Sequence, residues 1–304
     1  MSLPPSIDYA TPDLADFPAS RAGWELSPDR AAVLVHDLQL YFTRPYAPDC
    51  AAFLQTVRRT AQILRAARGA GIPVYYTAQR GNQDQQARGL QRDLWGPGMQ
   101  AVPEHTDIIE AVAPAPGERV LVKHRYSAFA GNELAAELAA QGRDQLVITG
   151  VYAHIGIAAT AMEAFQREVH PFVVGDAVAD FGPEEHALAL RQIASCCGVV
   201  VGADAVVSVF EAATVGSRRG PDTGVGTGID DLVRAELVLH LGEEMAALTF
   251  TDAETDLFTL GLDSLRAFEV LDVLADAGVD VDFGAFTRRP TIGFLREQAL
   301  AVAH

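Results

Sequence analysis

Thirteen residues, Gly216-Ser217-Arg218-Arg219-Gly220-Pro221-Asp222-Thr223-Gly224-Val225-Gly226-Thr227-Gly228, set the first limit on how this chain can fold. Five are glycine, one is proline and almost none is apolar. Such a segment cannot bury enough surface to offset the entropy of ordering it, so it reads as a flexible tether between two folded units. Charge divides in the same place: of a net −17 over 304 residues, residues 230–304 hold 15 Asp and Glu against 5 Lys and Arg. An imbalance of that size marks a separate unit. The pattern predicts a first unit over residues 1–212, a linker over 213–229 and a second unit over 230–304, with no internal repeat of fixed period.

Composition narrows the roles open to these units. No stretch approaches the roughly 18 to 20 uncharged apolar residues of a membrane span, and the first residues, with Pro4, Pro5, Asp8, Asp13 and Asp16, lack the basic and apolar pattern of a signal segment. A cytoplasmic protein is expected. An acidic surface repels nucleic-acid phosphates and anionic lipid, so neither is expected as a partner. The three cysteines, Cys50, Cys196 and Cys197, suit neither a disulfide framework nor a spaced zinc site.

In the first unit, short β-branched runs at residues 31–35, 72–77, 120–122, 145–149, 172–174 and 199–201 alternate with helical patterns at 51–70, 133–141, 160–169 and 183–193. Near-continuous apolar strands between helices predict an α/β fold, a parallel sheet flanked by helices on both faces. Ligands of such sheets sit beyond the carboxyl ends of the strands. Those ends carry His36-Asp37-Leu38-Gln39, Ala78-Gln79-Arg80-Gly81, Lys123-His124-Arg125-Tyr126 and Gly150-Val151-Tyr152-Ala153-His154-Ile155-Gly156. Each residue alone has an ordinary structural use: Asp37 as a helix cap, Lys123 as its ion-pair partner, the glycines in turns. Their joint placement at four strand ends favours a site.

The same stretches, with Tyr41-Phe42, Tyr76-Thr77-Ala78-Gln79, Arg88-Gly89-Leu90, Trp95-Gly96-Pro97-Gly98 and Ser127-Ala128-Phe129, resemble the isochorismatase family over about residues 20–210. The resemblance implies an isochorismatase-like hydrolase fold in which most members use an Asp, Lys and Cys triad to hydrolyse amides. Here the position of the nucleophilic cysteine is Gly156. Without a thiolate no covalent acyl intermediate forms. The branch lacking the cysteine, in siderophore and phenazine pathways, hydrolyses the enolpyruvyl ether of isochorismate or of its 2-amino analogue, releasing pyruvate. Such an ether needs a proton on carbon and then water, hence an acid rather than a nucleophile. Asp37 is the candidate acid. A free Asp has a pKa of about 3.9, so its environment must keep it protonated. Lys123 would oppose that if it sat close, and its expected role is to hold a substrate oxygen and position Asp37. By resemblance, Gln79 and Arg88 bind substrate carboxylates, Tyr152 faces the substrate and the Gly156 amide donates where the thiol would stand; Phe42 and Trp95 are expected as apolar wall. His124 and Leu40 depart from the family pattern, leaving hydroxyl and amino substrates both open. His36 and His154, without a carboxylate cluster or cysteine set, are expected to be hydrogen-bonded structural residues, and no metal is expected.

The second unit shows helical patterns at residues 231–245, 264–277 and 292–302; three or four helices in about 75 residues make a small bundle, expected as a four-helix one. At its centre, Asp256-Leu257-Phe258-Thr259-Leu260-Gly261-Leu262-Asp263-Ser264-Leu265, followed later by Arg289-Pro290-Thr291-Ile292, resembles the phosphopantetheine attachment region of acyl and peptidyl carrier proteins. The resemblance implies 4′-phosphopantetheine on Ser264, making the chain a phosphoprotein. The two resemblances together imply an isochorismatase with an aryl carrier domain, serving nonribosomal siderophore biosynthesis. Implied partners are a phosphopantetheinyl transferase, an aryl-adenylating enzyme and a nonribosomal peptide synthetase condensation domain, with a homo-oligomer expected. The alternatives are a hydrolase of 2-amino-2-deoxyisochorismate feeding an amino-aryl product, or an idle scaffold bearing an active carrier; Asp37, Gln79, Arg88 and Lys123 together argue against idleness.

Overall fold

A computed structural model describes residues 3–4, 6–218 and 228–302. They fall into two compact units, Met1–Gly220 and Pro221–His304. The first is built on six parallel strands, β1 (Ala31–His36), β2 (Val74–Ala78), β3 (Arg119–Val122), β4 (Gln145–Val151), β5 (His170–Ala179) and β6 (Val199–Val201). Their order is β3-β2-β1-β4-β5-β6. Alternate side chains of β1 feed two cores: Ala31, Val33 and Val35 enter one, Ala32 and Leu34 the other. Both faces therefore need cover, which is why the strand reads as a continuous apolar run.

Helices Ala51–Gly69 and Ala203–Arg218 cover one face, burying Ile63, Leu64, Ala67, Val206 and Phe210. On the other face, Leu134–Ala140, Ala158–Gln166 and Pro183–Cys196 bury Leu134, Leu138, Ala161, Ala164, Leu190 and Ile193. From β1 the chain winds outward to β2 and β3, then returns to the centre at β4 and winds the other way. The reversal opens a crevice between the carboxyl ends of β1 and β4, where connections diverge to opposite sides of the sheet. His36 ends β1 and Gly150-Val151 ends β4, so the crevice opens at the strand-end motifs.

Some element bounds differ from those the sequence predicts. β5 runs to Ala179 rather than stopping at Val174, because polar Gly175-Asp176 interrupts the apolar run without ending the strand. Asp176 is buried; its Oδ1 accepts from the amide of Ala203 at 2.8 Å, and the Arg59 guanidinium lies 3.2 Å from Oδ2 as its ion-pair partner. Residues 213–218, placed in the linker by composition, complete the helix Ala203–Arg218; residues 219–227 lie outside the described residues.

The second unit contains, among the described residues, helices Gly228–Leu241, Glu243–Thr251, Ser264–Asp276, Phe283–Arg288 and Ile292–Val302. They enclose a core that includes Leu237, Leu257, Leu274, Phe286 and Leu295. The single helix predicted over 231–245 is broken at Gly242, whose φ of 82° belongs to the left-handed region that glycine enters without steric cost.

Candidate active site

Asp37 is the first residue beyond β1. Its φ of 52° is left-handed, a conformation Asp tolerates better than most residues, and it turns the carboxylate back over the sheet edge. The β1–β2 register sets His36 beside Thr77, which brings the Thr77 hydroxyl within reach. Thr77 Oγ1 donates to Asp37 Oδ1 at 2.7 Å and accepts from the Asp37 amide at 3.1 Å. Lys123, just past β3, is tied by its own amide to Ala78 O at 3.0 Å. Its Nζ lies 2.7 Å from Asp37 Oδ2 and donates to Arg125 O at 3.0 Å. Lys123 is 1% exposed and Asp37 6%. Lys123 does therefore sit on the carboxylate, the geometry that the sequence argument sets against an acid role.

Arg88 ends a short helical turn, Gln85–Arg88, capped by Asp84. Its Nε donates to Gly96 O at 2.7 Å and Nη1 to Gln83 Oε1 at 3.2 Å, while Gln83 Nε2 donates to Gln79 Oε1 at 3.1 Å. The side chain of Gln39 fixes the backbone of Gln79 from both sides, accepting from its amide at 2.7 Å and donating to its carbonyl at 3.0 Å. Gly98 is a glycine for a reason visible here: a Cβ would stand 2.9 Å from Arg88 Cζ. Burial presses the Arg88 guanidinium below the ordinary arginine range. No carboxylate among the described residues pairs with it.

These groups line one cleft of about 590 Å³, counted to its open mouth. Asp37, Phe42, Gln79, Arg88, Trp95, Lys123, Tyr152 and Gly156 all face it, so the sequence-predicted residues of the first unit are brought together without exception. Trp95 Nε1 donates to Tyr126 Oη at 2.7 Å, Tyr152 donates to Phe42 O, and the Phe181 ring lies 4.5 Å from that of Tyr152. Burial holds the Tyr152 phenol in its protonated form. Tyr126, Phe181 and Leu3 also line the cleft and are not among the predicted site residues. Phe181 follows the true end of β5, so the strand-end rule would have found it had β5 been drawn to Ala179. Leu3 arrives from the far amino end and carries no sequence signal.

Gly156 lies in a π-helical turn, Ala153–Ile157, and its carbonyl accepts from Thr160 Oγ1 at 2.6 Å. His36 is fully buried, with Nδ1 2.9 Å from Val151 O and Nε2 3.2 Å from Tyr126 O. Burial lowers its pKa, while Asp37 pulls the other way. His154 Nδ1 sits 2.6 Å from Asp180 Oδ1. Both histidines are thus hydrogen-bonded within the fold. None of the three cysteines lines the cleft, and burial pushes the Cys197 thiol up to about 12.

In the second unit Ser264 is the first residue of its helix. Asp263 caps that helix, its carboxylate accepting from the amide of Arg266 at 2.9 Å. Asp263 and Arg266 are both exposed. A serine at the first position of a helix suits attachment of a phosphopantetheine, because first-turn amides favour the phosphate.

Comparison with known proteins agrees with both units. Residues 31–205 match the isochorismatase domain and residues 231–295 the phosphopantetheine attachment site. The phenazine biosynthesis protein PhzD of Pseudomonas fluorescens is 45% identical over 205 residues, spanning 67% of this chain and 98% of that protein. The isochorismatase of Bacillus subtilis is 36% identical over 295 residues, 96% of this chain and 93% of that one. Enterobactin synthase component B of Escherichia coli is 36% identical over 292 residues, 96% of each. A cysteine hydrolase structure from Pseudomonas syringae superposes with a TM-score of 0.58 at 26% identity, covering 64% of this chain and 98% of that one. The chain belongs to the isochorismatase family and joins that hydrolase domain to a phosphopantetheine-bearing carrier domain.

Proposed function

We propose that the first unit hydrolyses the enolpyruvyl ether of isochorismate to pyruvate and 2,3-dihydro-2,3-dihydroxybenzoate, and that Ser264 carries an aryl acid for nonribosomal assembly of a siderophore-type product. One observation carries the hydrolytic part. A buried guanidinium with no carboxylate partner among the described residues, Arg88, shares a cleft with Asp37 and Lys123, while position 156 offers no nucleophile. A buried cation awaiting an anion suits a dicarboxylate, and a carboxylic acid with water suffices for a vinyl ether.

In this scheme Arg88 and Gln79 hold the substrate carboxylates. Asp37 delivers a proton to the terminal =CH₂ carbon of the enolpyruvyl group, leaving an oxocarbenium ion on the ether oxygen and its carbon. Water adds to that carbon and loses a proton, giving a hemiketal that collapses to pyruvate and the ring alcohol. Both Asp37 oxygens accept hydrogen bonds in the structure, so the proton it delivers is taken from water as substrate binds: a substrate oxygen takes over Lys123 Nζ, Oδ2 is freed and is protonated, and the proton later lost by the attacking water restores the balance. Phe42, Trp95 and Tyr152 enclose the ring, and the Gly156 amide donates to a substrate oxygen. The phosphopantetheine on Ser264 supplies a thiol that holds the acyl group as a thioester. A phosphopantetheinyl transferase, an aryl-adenylating enzyme and a condensation domain are the partners this chemistry requires. The cytoplasm, where such assembly takes place, is the proposed location.

The second reading, hydrolysis of 2-amino-2-deoxyisochorismate, is favoured by the higher identity to the phenazine biosynthesis protein, since a phenazine contains ring nitrogen. Incubating the purified chain with each substrate and following pyruvate separates the two. Release from isochorismate alone supports the first reading, release from the amino compound alone the second, and release from neither overturns both.

A further inference from the structure

Gly156 is closed off by a residue that the scheme above does not use. A Cβ built on Gly156 would stand 2.2 Å from His36 Cε1, 2.9 Å from Nε2 and 3.1 Å from Nδ1. The obstacle is not the free end of a flexible side chain. The imidazole is buried and wedged between carbonyls of different strand-end segments, with Nδ1 2.9 Å from Val151 O and Nε2 3.2 Å from Tyr126 O, and the neutral ring donates to one of them. The backbone of His36 cannot retreat either, because β4 packs on it through Gly150. That residue has a φ of 113°, and a Cβ there would lie 2.1 Å from His36 O. The ring therefore fills the volume that any side chain at position 156 would need. Val151 and Tyr126 both line the cleft, so the same ring stands between two of its walls and hydrogen-bonds one of them to the residue preceding Asp37.

We propose that His36 is a positioning residue that sets both the shape of the cleft and its reaction class: its imidazole takes the place of a side chain at 156, excluding any nucleophile there, and it holds the Tyr126 and Val151 walls against Asp37. The loss of a thiol and the presence of this histidine are then two halves of one steric arrangement. Replacing Gly156 by cysteine alone does not produce a thiol enzyme, since the sulfur's own Cβ has no room. The reaction-class statement rests on the proposed hydrolysis, whereas the steric statement does not.

A substitution cycle tests it in the full chain. Gly156→Ala, His36→Ala and the double variant are compared by kcat, KM and thermal unfolding midpoint. With His36 present, Gly156→Ala should cost at least about tenfold in kcat or lower the midpoint sharply, as overpacking of a tight interior does. With His36→Ala already made, the same change should cost less than about threefold, since contacting residues couple and the contact is gone. His36→Asn keeps a donor toward Val151 O and should retain more kcat than His36→Ala at a matched unfolding midpoint, which a purely structural role would not give. A second arm needs no substrate: iodoacetamide labelling with intact-mass readout of Gly156→Cys and of His36→Ala/Gly156→Cys. The double variant should fold and take up one more label than the unsubstituted chain, while Gly156→Cys should fail to fold or gain none. Equal effects of the substitution at 156 in both backgrounds, whether on turnover, folding or labelling, overturn the proposal. If neither enolpyruvyl substrate is turned over, the hydrolysis fails as a function, and the midpoint and labelling results still decide the steric pair.

Discussion

Arg88→Ala is the perturbation whose size the structure bounds most tightly. The side chain is 5% exposed, Nε is committed to Gly96 O and Nη1 is shared with Gln83. The fork's remaining capacity therefore lies along its Nη1 and Nη2 edge, enough for a two-point contact with one carboxylate. Removing one partner of a buried hydrogen-bonded charge pair costs about 2 to 5 kcal/mol, or roughly 30- to 5000-fold in kcat/KM. The lower half of that range is expected, because two of its N–H donors are already engaged. Arg88→Lys keeps the charge but loses both the fork and the bond to Gly96, and should recover only part of the loss. Pyruvate release measured across substrate concentration gives kcat and KM. A parallel unfolding midpoint shows whether the packing of Arg88 under Gly98 has failed instead. A folded Arg88→Ala protein within about threefold of normal kcat/KM would refute the assignment of Arg88 to a substrate carboxylate.

Three further outcomes follow from particular contacts. Lys123→Met strands the Asp37 carboxylate at 6% exposure, so the unfolding free energy should fall by about 3 to 5 kcal/mol in denaturant titration, and an unchanged value would show that the pair is dispensable. His186 donates from Nε2 to Gly175 O and accepts at Nδ1 from Tyr9, an arrangement of the neutral ring, and burial lowers its pKa from the ordinary 6.5. The unfolded chain then binds the proton first, so stability is full above pH 6.5 and falls as pH drops below it; a thermal midpoint flat between pH 8 and pH 5 would contradict this. Ser264→Ala should escape modification by a phosphopantetheinyl transferase, with no mass gain, yet hydrolyse the enolpyruvyl ether at the normal rate. Labelling elsewhere would move the attachment site.

Much of this arrangement was legible in the sequence for one physical reason. A parallel sheet buried on both faces forces apolar runs, and apolar runs mark where strands end. All six strands were located, and Asp37, Gln79, Lys123 and Tyr152, just past β1, β2, β3 and β4, proved to share one cleft, whereas Arg80, His124, Arg125 and His154 from the same motifs do not line it. What stayed hidden depends on register and distance. Thr77 meets Asp37 only because β2 is aligned so that Thr77 faces His36. His36 meets Gly156 only because β1 and β4 are neighbours and β4 turns sharply at Gly150. Neither contact has a local signature. The break at Gly242 illustrates the opposite limit: an apolar period continues across it, and only the backbone conformation shows two helices.

The central claim is that this cleft works by protonating carbon and not by a nucleophile on the chain. Hydrolysis of isochorismate in deuterium oxide, with the pyruvate reduced at once to lactate and its methyl group read by mass spectrometry, tests it directly. The account predicts one deuterium in every methyl group formed, no covalent adduct on the intact protein, and loss of at least about 10² in rate in Asp37→Asn. Pyruvate released without methyl deuterium, or a substrate fragment bound to the chain during turnover, would contradict it.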